Sequence, residues 1–138
     1  MNNISIIYAT KTKHSKKLAL AIAEALEIKA QNIKENPVLN QVDVLFIASG
    51  IYANKAAPNL LKYLNTLDNT LVKSVVLITS SAAGNTPQND VKNLLARKNI
   101  KVLDEFKCYG SFLFFKRKHP NQDDINNAIE FSKKIIKK

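Results

Sequence analysis

Residues 4–27 read ISIIYATKTKHSKKLALAIAEALE. The first six, ISIIYA, are a short apolar run with β-branched side chains, the pattern of a strand buried on both faces. From Ser15 to Glu27 the period changes. Leu18, Ile22 and Leu26 fall at i, i+4 and i+8 with alanines between them, while Lys16, Lys17 and Glu24 lie off that stripe. This is an amphipathic helix, and Ser15 is a suitable N-cap for it. Between strand and helix stand two threonines, two lysines and a histidine. A strand running straight into a helix exposes unpaired backbone N–H groups at the positive end of the helix dipole, which is an anion site by construction.

The same alternation continues to the end of the chain. Residues 28–34 suit a short edge strand, and ENPVLNQ a turn broken by Pro37. VDVLFIAS, residues 42–49, is a strong buried strand expected to end at Gly50. IYANKAAP reads as a loop, after which Pro58 opens a helix carrying Leu60, Leu61 and Leu64. KSVVLITS, residues 73–80, is another buried strand. SAAGNTP follows as a loop, with Thr86 expected at N-cap and Pro87 at N1 of the next helix. IKVLDEFKCY, residues 100–109, is the last strand, alternating in part at its start. An irregular stretch, SFLFFKRKHPNQ, leads to a final helix with Asp123 and Asp124 at its positive end and lysines at its negative end. Continuous apolar strands between amphipathic helices predict a three-layer α/β/α sandwich around a parallel sheet of five strands. With 138 residues, one domain spanning 1–138 is expected.

Composition removes several function classes. No apolar run approaches the roughly 20 residues of a membrane-crossing helix. The first ten residues lack a basic n-region and a small-residue cleavage site, so no signal peptide is expected. One cysteine, Cys108, excludes an internal disulfide framework and suits a reducing cytoplasm. A buried, inert thiol is expected there. The formal net charge is +10. Such a charge can attract nucleic acid, but Arg97 and Arg117 are the only arginines, and the lysines are spread along the chain with abundant asparagine. Nucleic-acid readers favour arginine for bidentate contacts, so a compositional origin is the better reading and nucleic-acid binding is not expected. Two histidines and one cysteine, far apart, form no recognisable metal site.

In open parallel sheets, ligands bind beyond the carboxyl ends of the strands, where the strand order reverses. The segments leaving the first, third and fourth strands are therefore the candidates: 10–15, 50–57 and 80–86. All are rich in small or hydroxyl residues, and they hold two of the chain's three glycines, Gly50 and Gly84. A glycine lets backbone approach a ligand closely. Neither G-x-x-x-x-G-K-[ST] nor G-x-G-x-x-G is present. A hydroxyl-rich turn without carboxylates suits a phosphate monoester held without metal, and a flavin mononucleotide better than a nucleotide–magnesium complex. The plainer alternative is that Ser15 only caps the helix while Thr10 and Thr12 satisfy loop backbone.

These residues resemble a known family. TKTKHS is similar to the phosphate loop of flavodoxins, T/S-x-T-G-N-T, with Thr10, Thr12 and Ser15 on its hydroxyl positions, Lys13 on its glycine and His14 on its asparagine. DVLFIASGIYANKAAPNLLKYL resembles the second segment of flavodoxin-like proteins. CYGSF together with HPNQDDINNAIEFSKKI resembles the end of small bacterial members. The strand order 2-1-3-4-5, with a mononucleotide at the junction of the first and third strands, is the general description of flavodoxins and comes with the resemblance. The resemblance implies non-covalent FMN. Thr10, Lys11, Thr12, Lys13, His14 and Ser15 would hold its phosphate. Gly50, Ile51, Tyr52 and Ala53 would border one face of the ring, with Tyr52 able to stack. Ser81, Ala82, Ala83, Gly84 and Asn85 would border the other side.

The departures matter. Lys13 replaces the loop glycine; if that position needs φ > 0, lysine adds about 1 kcal/mol of strain and a Lys13→Gly change tightens FMN binding, whereas weaker binding would mean that the lysine charge helps hold the phosphate. SSAAGN offers no second aromatic to sandwich the ring. Flavodoxins are acidic around the flavin, which opposes the last negative charge added on reduction, whereas a basic rim does the reverse. Three functions are therefore carried forward. The first is electron transfer to a redox partner protein or small acceptor. The second is an FMN-dependent oxidoreductase acting on a quinone, porphyrinogen or other small acceptor. The third is a flavin-free anion-binding or interaction module. Asp43, at the opposite end of its strand from the loops, is not expected to act in any of them.

Overall fold

A computed structural model describes residues 3–9, 14–52, 55–81, 88–109 and 122–137. Among them, strands and helices alternate: β1 (Ile4–Ala9), α1 (His14–Leu26), β2 (Ala30–Asn32), a 3₁₀ turn (Ile33–Glu35), β3 (Val42–Tyr52), β4 (Lys55–Ala56), α2 (Pro58–Leu64), β5 (Val72–Ser81), α3 (Asn89–Arg97), β6 (Lys101–Tyr109) and α4 (Gln122–Lys137). Five strands run parallel in the order β2-β1-β3-β5-β6. With the two-residue β4 set aside, this is the expected order 2-1-3-4-5.

The continuous apolar runs have a direct cause: both faces of the sheet are covered. On one face Ile7, Leu45, Ile47 and Leu77 pack against Leu60 and Leu64 of α2 and Val91 and Leu95 of α3. On the other, Ile6, Phe46 and Ile78 pack against Leu18 and Ile22 of α1 and Ala128 of α4. All of these side chains are excluded from solvent or nearly so. Leu18 and Ile22 are the stripe read from the sequence of α1. Pro58 stands at the start of α2 as expected, and Leu60 and Leu64 are its buried residues.

Two helices end without glycine. Glu27 (φ 59°) follows α1, and Asn99 (φ 59°) closes α3. In each case the next amide reaches back one full turn, Ile28 N to Ala23 O at 2.9 Å and Ile100 N to Leu95 O at 3.0 Å. These bonds satisfy carbonyls that a helix end leaves open. A residue other than glycine in this region carries a backbone cost, so tertiary anchoring of the isoleucines sustains both turns.

Four boundaries differ from expectation. Helix α1 begins at His14, which places Ser15 inside its first turn instead of at the cap. Strand β3 does not stop at Gly50 but runs to Tyr52, because Gly50 and Ile51 pair with Ser80 and Ser81 of β5. The segment read as a loop contains β4, antiparallel to β3 with Ile51 opposite Ala56 and Tyr52 opposite Lys55. Helix α3 begins at Asn89 with Gln88 in the cap position, two residues later than expected. Gln88 is held out of the helix by side-chain bonds to the sheet, described below. The expected roles of Thr86 and Pro87 lie outside the described residues.

Among the described residues, strand β6 is an edge. Val102 pairs with Val75 and Asp104 with Val76, so Leu103 is an extra, bulged residue, 39% exposed. A bulge with charged neighbours is a standard guard against edge-to-edge association.

Candidate functional site

The three segments expected to bind a ligand all leave the carboxyl edge of the sheet. β1 lies beside β3 up to its own last residue, Ala9 opposite Ser49, and β5 does likewise, Ser81 opposite Ile51. The strand order reverses between β1 and β3, since β2 lies on one side of β1 and all later strands on the other. Of the expected site residues, the structure describes Ser15, Gly50, the backbone of His14, and Ile51, Tyr52 and Ser81 as strand residues. It brings them to one edge. Thr10, Lys11, Thr12, Lys13, Ala53, Ala82, Ala83, Gly84 and Asn85 lie outside the described residues, as do Arg117 and His119.

Helix α1 presents its N-terminus at this edge four residues after β1. Its first turn is His14, Ser15, Lys16 and Lys17, with no acid. That is unlike α3 and α4, whose first turns carry Asp90 and Asp123 with Asp124. In those helices a carboxylate of the first turn complements the dipole; the first turn of α1 supplies none of its own. Ser15 is buried, and its Oγ lies 3.5 Å from Ser80 Oγ near the end of β5. This contact seats the first turn of α1 against the sheet edge.

Beneath the edge, on the α3 face, is a polar cluster that the sequence did not reveal. Ser49, Thr79 and Gln88 are wholly buried. The Ser49 hydroxyl donates to Gln88 Oε1 at 2.7 Å. Gln88 Nε2 donates to Thr79 Oγ1 at 2.8 Å. Thr79 Oγ1 donates in turn to Glu105 Oε2 at 2.7 Å, and the Gln88 backbone N–H donates to the same oxygen at 3.1 Å. Glu105 Oε1 sits 2.5 Å from Lys92 Nζ, off the line of a well-formed hydrogen bond, so this last contact is chiefly Coulombic. A buried carboxylate needs such compensation. Because an ionised carboxylate only accepts, Thr79 must donate toward Glu105, and its lone pair is left to receive Gln88 Nε2. The amide is thereby oriented with its oxygen toward Ser49. Close by, the Ala56 N–H of β4 donates to Asp90 Oδ2 at 2.9 Å. Hydroxyls closing apolar strands, and an acid facing inward in IKVLDEFKCY, were the available sequence signals.

Other singled-out residues fall away from this edge. Asp43 opens β3 at the amino end of the sheet, where it accepts from Asn3 N at 2.8 Å and pairs with Lys73 at 3.4 Å. The Asn3 bond chiefly, with Lys73 adding, holds its carboxyl below the usual range against a smaller opposing effect of burial. Cys108 is buried beside α4, and burial, with the Asp124 charge adding, pushes its thiol up to about 12. A thiol so raised is a poor nucleophile at neutral pH.

The model of the flavodoxin domain matches residues 5–117. An uncharacterized protein of Methanocaldococcus jannaschii is 31% identical over 137 residues, covering 91% of each chain. Among solved structures, a short-chain flavodoxin associated with a PDU bacterial microcompartment superimposes with a TM-score of 0.74 at 18% identity, covering 99% of this chain and 98% of that one. A flavodoxin from the domain Archaea gives a TM-score of 0.70 at 13% identity, with 99% of both chains covered. A parallel sheet in the order 2-1-3-4-5 between helix layers defines a flavodoxin-like α/β protein. By the extent of the domain match, this chain belongs to the flavodoxin family.

Proposed function

We propose that this protein binds FMN non-covalently at the carboxyl edge of its sheet and passes electrons between a redox partner protein and a small or protein acceptor in the cytoplasm. The observation that carries this reading is the acid-free first turn of α1, standing where β1 and β3 mark the reversal of strand order. The donor chemistry there fits a phosphate monoester: the N-terminal N–H groups of a helix, its dipole, and the exposed Lys16. The open backbone of Gly50 at the same edge fits close approach of a flat ring. FMN supplies one- and two-electron transfer when bound. The chain's own residues do the rest. Thr10 to Ser15 hold the phosphate, Gly50 to Ala53 border one side of the ring, and Ser81 to Asn85 border the other.

The net charge of +10 favours a second reading, an FMN-dependent oxidoreductase reducing a quinone or similar acceptor, because positive surroundings ease the addition of negative charge to the ring. Turnover of a quinone with NAD(P)H as the electron source separates the two.

The test is an absorbance and fluorescence titration of the purified chain with FMN, followed by desalting. One FMN per chain is retained with quenched fluorescence, and riboflavin, which lacks the phosphate, binds about a hundredfold more weakly, as the loss of one or two charge-assisted bonds requires. A chain that stays colourless, or binds both flavins equally, overturns the reading.

A further inference from the structure

The β3–β4 hairpin is fastened at both of its feet by one short stretch of chain, the start of α3. At the entry, Ser49 Oγ donates to the buried amide of Gln88. At the exit, the Ala56 amide donates to the carboxylate of Asp90. Between these feet lie Gly50, Ile51 and Tyr52, and Ile51 and Ala56 face each other across the antiparallel pair. Nothing in local turn chemistry demands this hairpin. β3 is held as far as Ile51 by its ladder with β5, but β4 pairs with β3 over two residues only, which is too little to hold it without outside anchors. The fastening also has a fixed sense, because the run of bonds through Thr79 ends in the Glu105 carboxylate and so forbids the Gln88 amide from turning over.

We infer that Gln88 and Asp90 are positioning residues for the flavin: neither need touch it, and together with the β5 ladder they hold the strands on either side of the tip, Ser49 to Tyr52 and Lys55–Ala56, in place beside the ring. This rests on the FMN reading above. Its physical content is preorganisation. A bordering segment already fixed in the free protein loses little freedom on binding, whereas a loose one must be ordered at the expense of affinity.

The experiment compares the full-length chain with Asp90→Ala and Asp90→Asn. Asp90 is half-buried, so its replacement is gentler than that of Gln88. Amide hydrogen exchange is followed without flavin at Ala56, with Leu77 in β5 as an internal reference, and the FMN Kd is then measured for each protein. In Asp90→Ala the Ala56 amide exchanges at least tenfold faster while Leu77 is unchanged, and FMN binds about tenfold more weakly. Asp90→Asn, which keeps an acceptor oxygen but not the charge, restores both. Ser49→Ala, at the other foot, weakens FMN in the same direction.

Unchanged exchange at Ala56 in Asp90→Ala overturns the inference, and so does faster exchange with an unaltered FMN Kd. Equal FMN affinities for the Ala and Asn variants, both weakened, also overturn it, since the role would then be that of a charge at a helix end. Failure of the unmodified chain to bind FMN overturns the flavin reading instead. That case is told apart because exchange at Ala56 is measured without flavin and still decides whether Asp90 holds the hairpin.

Discussion

Cys108 shows how one side chain records its surroundings. Its neighbours across the ladder are strand residues, Ser80 among them, and α4 covers it with Asp124 nearby. Burial first, and the Asp124 charge second, lift the thiol from an ordinary value near 9 to about 12. The folded state thus holds this proton more tightly than the unfolded state. Between about pH 9 and 12 the unfolded chain has released it and the folded chain has not, so stability falls as pH rises through that window, by at most about 1.4 kcal/mol per pH unit from this group. Replacing Cys108 with Ala is expected to remove that alkaline slope, measured as urea midpoints from pH 8 to 11. The native thiol is expected to resist alkylation at pH 8 and to react in denaturant. A single cysteine in an apolar strand made the inert role legible in the sequence. The roles of Gln88 and Glu105 were not legible in the same way. A glutamine just after TP reads as an ordinary residue of a helix's first turn, and its meaning depends on Ser49, Thr79 and Glu105, which are brought to it only by the sheet.

At the scale of elements, the helices sort by how their positive ends are satisfied. α3 and α4 carry their own acids there, and α1 carries Lys16 and Lys17. Lys16→Glu is expected to stabilise the protein by about 0.3–1 kcal/mol at low salt by complementing the dipole. The same change is expected to weaken FMN by putting a carboxylate beside the proposed phosphate site. A thermal melt and an FMN titration on one sample check both signs, and a variant that gains stability with undiminished FMN affinity would move the phosphate away from α1. Strands were easier to read than their ends. β1, β3 and β5 are covered on both faces, so their apolar runs announce them. Among the described residues β2 pairs with β1 alone and has three residues, and it left a correspondingly faint trace. The extension of β3 past Gly50 and the existence of β4 left none, because IYANKAAP has neither alternation nor a hairpin dipeptide. The pairing is imposed from outside, by β5 and by Asp90.

At the scale of the whole molecule, a chain of net charge +10 carries a site proposed to take a dianion. Long-range attraction of this kind raises association rates and is screened over about 8–10 Å at ordinary salt. The association rate for FMN is therefore expected to fall as ionic strength rises from about 10 to 500 mM. The rate for riboflavin should change little, so stopped-flow fluorescence quenching with the two ligands separates global steering from contact at the site. Equal salt dependence for both would assign the effect to the protein's own conformation. The three-layer architecture was legible because it follows from alternation along the entire chain. The candidate edge was legible because parallel sheets confine ligands to it. What joins the pieces of that edge was not legible, since much of it consists of contacts between residues far apart in the chain, such as Ala56 with Asp90, 34 positions apart, and Ser15 with Ser80, 65 apart.

The place of β3 at the centre of the sheet has a consequence for how the protein comes into being. Its ladder joins Ser5 to Leu45 on one side and Leu45 to Val75 on the other, so neither pairing forms until a long stretch of chain has been closed. Such non-local closure must be met before any contact rewards it, and parallel sheets fold slowly for that reason. During synthesis, the segment through α1 and β2 emerges with its apolar strands unpartnered on the side that β3 will occupy. It must wait for residues 42–52 before it has a core, and for β5 before that core is closed. The strand that carries Ser49 and Gly50 to the candidate site is thus also the one on which assembly of both halves of the sheet depends.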